Sequence, residues 1–410
     1  MDKESEHVRR VCYIVSNELV KASSLLPSNS NRSLLVHALV KAYGLLDPAK
    51  CPKDTRLQVL RPVPADDKEL GAYHTQDYLQ FVLNPANGSA PDDPNVAEFG
   101  LEEDCPPFAG LSQYVRLVAG GTLTAASALR EDRADIAICW DGGRHHARKS
   151  EASGFCYVAD CILAMLTLKR MHRGPDSSVR RPRVMYLDLD LHFSDAVSEA
   201  FLDSSATSLG PQILTLSIHH SAPGFFPSSS LATLRDPSAD RFDPFTLSMP
   251  LERGATDATF AQIWPSVERV KEAFQPECVI VQCGVDGLAG DPHGIWNWSL
   301  NDGEGSMGWC IDRVCNRWGC KVLMLGGGGY NHPNAARAWA YMTSVALGRP
   351  LQRDADVPDH GAFPLYAPSF TLDVPAGNAS DRNDEAHVEN ITEHFERVAQ
   401  IIEERMYTGN

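Results

Sequence analysis

Acidic and imidazole side chains alternate along one apolar stretch of the sequence. Asp188, Asp190 and His192 occupy every second position near the end of the segment 184–192. Because side chains along a β-strand alternate between its faces, these three groups are predicted to share one face. Two carboxylates and an imidazole on one face are suitable ligands for a divalent cation. Asp286 ends a second apolar run and is expected at the same edge of the sheet. The alternatives are an exposed strand end for the first three residues and a helix cap for Asp286.

Two histidines and one tyrosine follow glycines at other predicted strand ends. His145 and His146 come after the glycine pair 142–143, and Tyr330 follows the four glycines 326–329. Because imidazoles titrate near neutral pH, the histidines suit removal of a proton from water and its delivery to a leaving amine. The four glycines let the backbone approach a pocket, where Tyr330 would donate a hydrogen bond to a developing oxyanion. A phosphate-binding loop is the alternative for the glycines, but their spacing does not match such loops.

The elements that would position these residues alternate along the chain. Short apolar runs predict buried strands, and segments with helical spacing lie between them. This alternation predicts an α/β fold with a mainly parallel sheet, helices on both faces, and ligand sites at the carboxyl ends of the strands. The predicted strands cover residues 135–140, 184–191, 213–218, 278–285 and 321–325, and the predicted helices cover residues 120–130, 159–171, 260–274, 335–347 and 385–406.

The composition of the 410 residues limits the classes of function. The chain is 43% hydrophobic and 22% charged, and it has no run of about 18 apolar residues that would predict a membrane span. Its formal net charge of −16 argues against direct nucleic-acid binding and favours a basic partner such as a Lys/Arg-rich peptide. The first residues lack a secretory signal, so an intracellular protein is expected, and its eleven cysteines are predicted to be reduced thiols.

Five motifs follow one another along the chain. They are the histidine segment 142–157, the carboxylate segment 188–192, Pro223-Gly224-Phe225-Phe226-Pro227, Ala289-Gly290-Asp291-Pro292 and Gly326-Gly327-Gly328-Gly329-Tyr330. In these motifs and their order the chain resembles the class I histone deacetylases, and within them the type-eight-like branch. The resemblance implies an arginase/deacetylase-like single domain with an eight-stranded sheet. The implied boundaries are a catalytic domain over residues 10–410, a C-terminal helix over 385–406 packed on it, and a short extension over 1–9.

The resemblance also implies two kinds of bound cation. Asp190, His192 and Asp286 would bind Zn²⁺, which would hold a water molecule and polarise an acyl carbonyl. Iron(II) or cobalt(II) would fit the same ligands. Tyr330 would donate a hydrogen bond to the carbonyl oxygen. A structural K⁺ would be bound, in part through backbone carbonyls, by Asp188, Asp190, His192, Ser217 and Ile218.

Roles in proton transfer and substrate binding are implied in the same way. His146 would act as general base and then as general acid, while His145 would remain protonated and stabilise negative charge. Asp188 and Asp195 would lie behind His145 and His146, respectively. The implied substrate residues are Gly154, Phe155 and Phe226 along the lysine channel, Asp104 for the substrate backbone, and His293 at the pocket rim.

Several positions depart from the family pattern. Phe193 and Ser194 replace the usual His-Gly, which removes one imidazole but retains the carboxylate of Asp195. Arg144 and His293 stand where apolar residues are usual, so a different substrate preference is expected. The segments predicted to be surface insertions are 173–183 and 202–211.

Together these features predict a zinc-dependent hydrolase that cleaves the amide of N6-acetyl-lysine in histones or other proteins. The implied partners are acetylated lysine peptides, such as histone tails, and a corepressor complex, with the nucleus and also the cytoplasm as compartments. One alternative is a polyamine or other small-molecule deacetylase, although His293 does not supply the acidic rim residue expected there. Another is a non-catalytic corepressor subunit, which would be expected to lack a metal ligand, a histidine or Tyr330. An arginase-like enzyme with two manganese ions would need more carboxylates.

Overall fold

The computed structural model describes residues 8–84, 86, 95–170, 172–173, 179–203 and 211–407. Most of the predicted N-terminal extension lies outside the described residues, as do parts of both predicted insertions.

The described residues form a main sheet of parallel strands with helices in many of the connections. The strands of the main sheet are β1 (Arg9–Ile14), β2 (Thr55–Leu60), β3 (Ile136–Cys139), β4 (Val184–Asp188), β5 (Ile213–His220), β6 (Thr246–Leu251), β7 (Cys278–Gln282) and β8 (Lys321–Leu325). The helices are α1 (Asn17–Ser23), α2 (Arg32–Ala42), α3 (Asp67–Leu70), α4 (Gln76–Val82), α5 (Asn95–Glu98), α6 (Leu111–Arg130), α7 (Asp160–Leu168), α8 (Asp195–Phe201), α9 (Asp257–Phe274), α10 (Met307–Asn316), α11 (His332–Ala346) and α12 (Glu385–Tyr407). A separate short antiparallel pair joins His172–Arg173 to Val179–Arg180.

The eight strands of the main sheet are all parallel, in the spatial order β2-β1-β3-β8-β7-β4-β5-β6. The predicted eight-stranded parallel sheet is therefore confirmed. Leu325, the last residue of β8, pairs with Cys139 of β3 and with Gln282 of β7, which in turn pairs with Asp188 of β4. Because these four neighbouring strands end level with one another, the segments that follow them meet at one edge of the sheet.

Helices cover both faces of the sheet because successive side chains of each strand point to opposite faces. In β4, Met185 and Leu187 join an apolar cluster that includes residues of α9, α11 and α12. Val184 and Tyr186 join a second cluster, which includes residues of α6, α7 and α8. A strand that is buried on both faces needs apolar residues at nearly every position, and this explains the continuous apolar runs in the sequence.

Two strands that lead into the predicted site are shorter than predicted. β4 ends at Asp188 rather than at residue 191, and β7 ends at Gln282 rather than at residue 285. Asp188 Oδ1 accepts a hydrogen bond from the backbone N–H of Asp190 at 3.0 Å, and Gln282 Oε1 accepts one from that of Gly284 at 2.7 Å. Each side chain thus bonds to the backbone two residues further on, which turns the chain out of the strand ladder.

Apolar runs in the sequence also fail to predict three strands of the main sheet. β2 and β6 lie at the two edges of the sheet, and β1 begins with two arginines. The burial of β2 is incomplete, so its sequence lacks a continuous apolar run. The eleven cysteines are all free thiols, as predicted. Among the described helices, none combines the length and the apolar character that crossing a bilayer requires.

The last helix, α12, packs against α9. Its apolar residues recur at three- and four-residue steps and are buried, at most 7% exposed, in the cluster that also contains α9. The buried residues of this stripe are Val388, Ile391, Phe395, Val398 and Ile402.

This packing predicts a stability difference between two substitutions in α12. Phe395→Ala removes a fully buried ring and is expected to lower the free energy of unfolding by about 3–5 kcal/mol. Glu389→Ala, on the exposed side of the same helix, is the control and is expected to change it by less than about 0.5 kcal/mol. Urea unfolding followed by circular dichroism measures both values. Equal stabilities would show that α12 does not contribute to the core.

Candidate active site

Two buried histidine–aspartate pairs lie side by side at the edge where the strands end. His145 Nδ1 is 2.8 Å from Asp188 Oδ2, and His146 Nδ1 is 2.7 Å from Asp195 Oδ1. The centroids of the two imidazole rings are 3.9 Å apart. Because the Nδ1 atom of each ring is bound to a carboxylate, the ring orientation is fixed and Nε2 is left for other partners.

The two histidines differ in charge because their neighbours differ. Burial lowers the pKa of His145, but the charges of Asp188 and Asp190 outweigh this effect and raise it to about 9. Burial and the charge of His145 lower the pKa of His146 to about 4. At neutral pH, His145 is therefore an imidazolium and His146 a neutral imidazole.

Arg148 holds the carboxylate behind His146. Its Nη2 atom lies 3.1 Å from Asp195 Oδ2, the oxygen that His146 does not use. Its Nη1 atom also donates to Glu151, at 3.3 Å. Sequence reasoning gave Arg148 no role, because a single arginine two positions after the histidine pair carries no distinctive signal.

The three predicted metal ligands lie together. His192 Nδ1 is 2.9 Å from Asp286 Oδ2 and 3.2 Å from Asp190 Oδ1. The other oxygen of Asp190 accepts hydrogen bonds from the backbone N–H of Gly328, at 2.7 Å, and from Gln282 Nε2, at 3.0 Å. The orientation of Asp190 is thus set from two neighbouring strands, and the role of Gln282 was not predicted.

Two glycines leave the space that the carboxylates occupy. A Cβ atom on Gly284 would lie 2.1 Å from Asp190 Oδ2, and a Cβ atom on Gly328 would lie 2.3 Å from Asp286 Oδ2. Neither position admits a side chain without displacing a carboxylate. The glycines after β7 and β8 therefore leave room for the carboxylates, in addition to allowing the backbone to turn.

The charge of this group fits a divalent cation. Burial and the charge of Asp190 raise the pKa of Asp286 to about 7. Burial lowers the pKa of His192, but hydrogen bonds to Asp190 and Asp286 raise it to about 10. Bound protons thus offset the negative charge of the two carboxylates, and a divalent cation would take the place of these protons. Two carboxylate oxygens and one imidazole nitrogen match the donors that Zn²⁺ takes in proteins, and Fe²⁺ or Co²⁺ would accept them as well.

His293 lies nearer to this group than its predicted rim position implies. Ligand atoms of His192, Asp286 and His293 are all within 4.8 Å of one another. The His293 ring is 5.0 Å from that of His192 and 4.9 Å from that of Tyr330, between centroids. Unlike the other two members of this trio, His293 is exposed.

Asp291 anchors both His293 and Tyr330. Its Oδ1 atom accepts a hydrogen bond from the backbone N–H of His293 at 3.1 Å, and its Oδ2 atom accepts one from that of Tyr330 at 2.7 Å. Burial and the charges of Asp286 and Asp190 raise the pKa of Tyr330 well above its usual value. The Tyr330 hydroxyl therefore keeps its proton and can donate a hydrogen bond.

Aromatic residues predicted for the lysine channel border the polar groups. The Phe155 ring is 5.7 Å from that of Tyr330, and the Phe226 ring is 4.9 Å from that of His146. Phe226 is 41% exposed, so this apolar surface faces solvent above the buried histidines. The two rings are thus available to contact an aliphatic side chain.

The remaining predicted residues lie beside these groups. Asp104 is exposed, and its Oδ2 atom accepts a hydrogen bond from the backbone N–H of Gly154 at 3.1 Å. Ser217 pairs with Asp188 across β5 and β4, and Ile218 is the next residue of β5. Both residues of β5 are buried.

Comparison with known proteins finds a matching family and several relatives. The histone deacetylase domain family matches residues 26–346. Histone deacetylase 8 of Danio rerio is 36% identical over 389 residues, covering 95% of this chain and 94% of that protein. Histone deacetylase 8 of Xenopus tropicalis is 37% identical over 381 residues, covering 92% and 95%. Histone deacetylase 2 of Oryza sativa subsp. japonica is 37% identical over 387 residues, covering 93% and 70%. The predicted resemblance to class I histone deacetylases of the type-eight-like branch is confirmed.

The raised pKa values predict that metal uptake releases protons. At neutral pH His192 is protonated, with a pKa of about 10, and Asp286 titrates at about 7. Since Zn²⁺ must displace these protons, its apparent affinity is expected to rise by about tenfold per pH unit between about pH 7 and about pH 9, and to rise more steeply below that range. Calorimetric titration in two buffers of different ionisation enthalpy counts the released protons. Uptake without proton release would contradict the assigned charges.

The glycine geometry predicts a selective loss of metal. Gly328→Ala would place a methyl group 2.3 Å from Asp286 Oδ2 and is expected to weaken Zn²⁺ binding by at least about tenfold. Gly361→Ala is the matched control, because no described atom lies within 4 Å of its added Cβ. Metal content after dialysis against a chelator, with circular dichroism as the test of folding, compares the two variants. Equal metal retention would mean that Gly328 does not define the site.

Proposed function

The chain belongs to the histone deacetylase family, and on this basis we propose that it is a zinc-dependent hydrolase that removes acetyl groups from N6-acetyl-lysine in histones or other proteins. The observation that carries the proposal is the placement of the two histidine–aspartate pairs beside Asp190, His192 and Asp286. Amide hydrolysis needs an activated carbonyl, a base for water and an acid for the amine, and these groups provide each of them.

The carbonyl is activated from two sides. Asp190, His192 and Asp286 would hold the divalent cation, which supplies a Lewis acid when it is bound. The hydroxyl of Tyr330, which keeps its proton because its pKa is raised, would donate a hydrogen bond to the same carbonyl oxygen. Such a donor stabilises the negative charge that develops on this oxygen in the transition state.

The two histidines divide the proton chemistry. His146 is neutral, and Asp195 fixes its Nδ1–H, so Nε2 is available to take a proton from water. The same atom can then deliver that proton to the leaving lysine amine. His145 is charged and bound to Asp188, so it is suited to stabilise negative charge rather than to act as the base.

The surface around these groups suits a lysine side chain in a basic peptide. Phe155 and Phe226 border the polar centre with aromatic rings, against which four methylene groups would pack. The exposed carboxylate of Asp104, beside Gly154, would accept hydrogen bonds from the substrate backbone. The net charge of −16 attracts basic segments such as histone tails, while phosphate-rich nucleic acid would be repelled.

Further parts of the proposal concern the cell and the structural cation. A K⁺ ion would be held near Asp188 and Ser217, with Asp190, His192 and Ile218 contributing backbone carbonyls. The enzyme would act in the nucleus, and also in the cytoplasm, and it would repress transcription as part of a corepressor complex. A small-molecule deacetylase is the second candidate, because His293 stands where an aliphatic rim residue is usual and so predicts a different substrate preference, although it does not supply the acidic group expected of a polyamine enzyme.

The assigned role of Tyr330 predicts a loss of turnover without a loss of metal. Tyr330→Phe is expected to lower the rate by at least about 100-fold, because one oxyanion donor is removed, while Zn²⁺ content stays the same. Asp286→Ala is expected to lose the metal itself. Turnover is measured by fluorophore release from acetyl-lysine and trifluoroacetyl-lysine peptides, and metal content by elemental analysis.

Tyr43→Phe is the control for this experiment, because among the described residues the Tyr43 hydroxyl has no hydrogen-bond partner. It is expected to keep full turnover. Normal turnover in Tyr330→Phe would refute the proposed mechanism. No turnover of either peptide by the zinc-loaded protein would instead favour the small-molecule deacetylase or a binding subunit.

A further inference from the structure

A groove lined by acidic and aromatic residues lies apart from the candidate active site. It has a volume of about 640 Å³ and is lined by residues of α10, α11 and the loop segments 350–354 and 371–373, together with Asp302. None of its lining residues is among those assigned to the active site. Its volume is within the range of about 300–1,000 Å³ that is typical of ligand-binding clefts.

The charges around this groove are unbalanced. Among the described residues, the lining contributes one guanidinium, that of Arg353, and four carboxylates, those of Asp302, Asp312, Asp354 and Asp373. Arg353 Nε lies 3.1 Å from Asp302 Oδ1, so this cation is already paired. The other three carboxylates have no cation in the described lining to offset them, which favours a positively charged ligand.

Two polar atoms of the lining lack a hydrogen-bond partner. Tyr341 is 4% exposed, and its hydroxyl, which lies near the charges of Asp302 and Asp312, has no such partner among the described residues. Asp373 Oδ1 is buried, and no donor in the described part of the chain reaches it. Because buried polar groups are almost always hydrogen-bonded, these two atoms indicate a ligand that donates hydrogen bonds.

Aromatic rings form part of the same surface. A Cβ atom on Gly308 would lie 2.5 Å from Tyr341 Cε1, so the glycine lets the tyrosine ring pack against α10. The neighbouring ring of Trp309 already has the guanidinium of Arg313 5.0 Å from its centroid, and Arg313 is itself paired with Glu268. Aromatic faces beside carboxylates suit a guanidinium, which stacks on rings and binds carboxylates through two parallel hydrogen bonds.

We propose that this groove binds an arginine-containing basic segment of a partner protein. The inference goes beyond the proposed function, because the groove shares no residue with the active site. The arginine would donate hydrogen bonds to Asp312, to Asp373 and to the hydroxyl of Tyr341. A bare metal ion is disfavoured, because within the described residues three ligand atoms close enough to share one ion occur only at His192, Asp286 and His293.

Fluorescence anisotropy of a labelled peptide tests this proposal on the full-length protein. The peptide contains several arginines and no lysine, so it has no side chain suited to the lysine channel. Combining Asp312→Asn with Asp373→Asn is expected to weaken binding by at least about tenfold, because charge-assisted hydrogen bonds are lost. Combining Asp240→Asn with Glu389→Gln removes the same charge at exposed positions outside the groove and is expected to leave the affinity unchanged.

Tyr341→Phe provides a second variant that leaves the charge unchanged. It removes a hydroxyl that has no hydrogen-bond partner among the described residues, so it is expected to fold normally and to weaken binding by at least about threefold. Replacing the arginines of the peptide by citrulline, which is neutral, is expected to abolish binding. Circular dichroism compares the folding of all variants.

The outcomes separate the groove from the proposed function. Equal affinities in the groove variants and the control would overturn the proposal, and so would equal binding of the citrulline peptide. Displacement of the peptide by Ca²⁺ at matched ionic strength would identify a metal site instead, and a dimer that only the groove variants dissociate would identify a second copy of the chain. Turnover of a short acetyl-lysine peptide is expected to be the same in the wild type and the groove variants. Its absence from the wild type would overturn the proposed function alone.

Discussion

The site depends on the contact of two buried carboxylates with one imidazole. Asp190 and Asp286 both approach Nδ1 of His192, although burying two like charges together is unfavourable. The arrangement persists because β4, β7 and β8 end level with one another and deliver the backbone N–H of Gly328 and the amide of Gln282 to Asp190. The parallel sheet therefore provides the hydrogen bonds that keep these charges in place, and a cation would complete their neutralisation.

The same carboxylates determine how the histidine pair divides its work. Asp188 and Asp190 hold a positive charge on His145, and that charge, together with burial, keeps His146 neutral. Two adjacent histidines thus differ in charge: His146 can act as a base, and His145 carries a positive charge. The difference arises because His145 faces two carboxylates, those of Asp188 and Asp190, whereas His146 faces the carboxylate of Asp195 and the positive charge of His145.

Much of this arrangement is predictable from sequence, because its main residues follow apolar runs and their strands are parallel. These two features are sufficient to predict that Asp286 lies at the same edge of the sheet as His192. Strand ends were less predictable: Asp188 and Gln282 turn the chain by bonding to the backbone two residues on, and a hydrophobicity pattern does not show such bonds. The roles of Arg148 and of Asp291, although the latter lies in one of the five motifs, were not predicted for a related reason, since each acts through a contact that depends on loop conformation.

The departures from the family pattern lie around the reacting groups rather than among them. Phe193, which replaces a usual histidine, is buried and packs its ring 4.8 Å from that of His219. The ring of Phe193 thus fills this position by packing. His146 is paired with Asp195, whose second carboxylate oxygen accepts a hydrogen bond from Arg148. His293 differs in kind, because its imidazole lies beside the rings of His192 and Tyr330, with centroids 5.0 and 4.9 Å away.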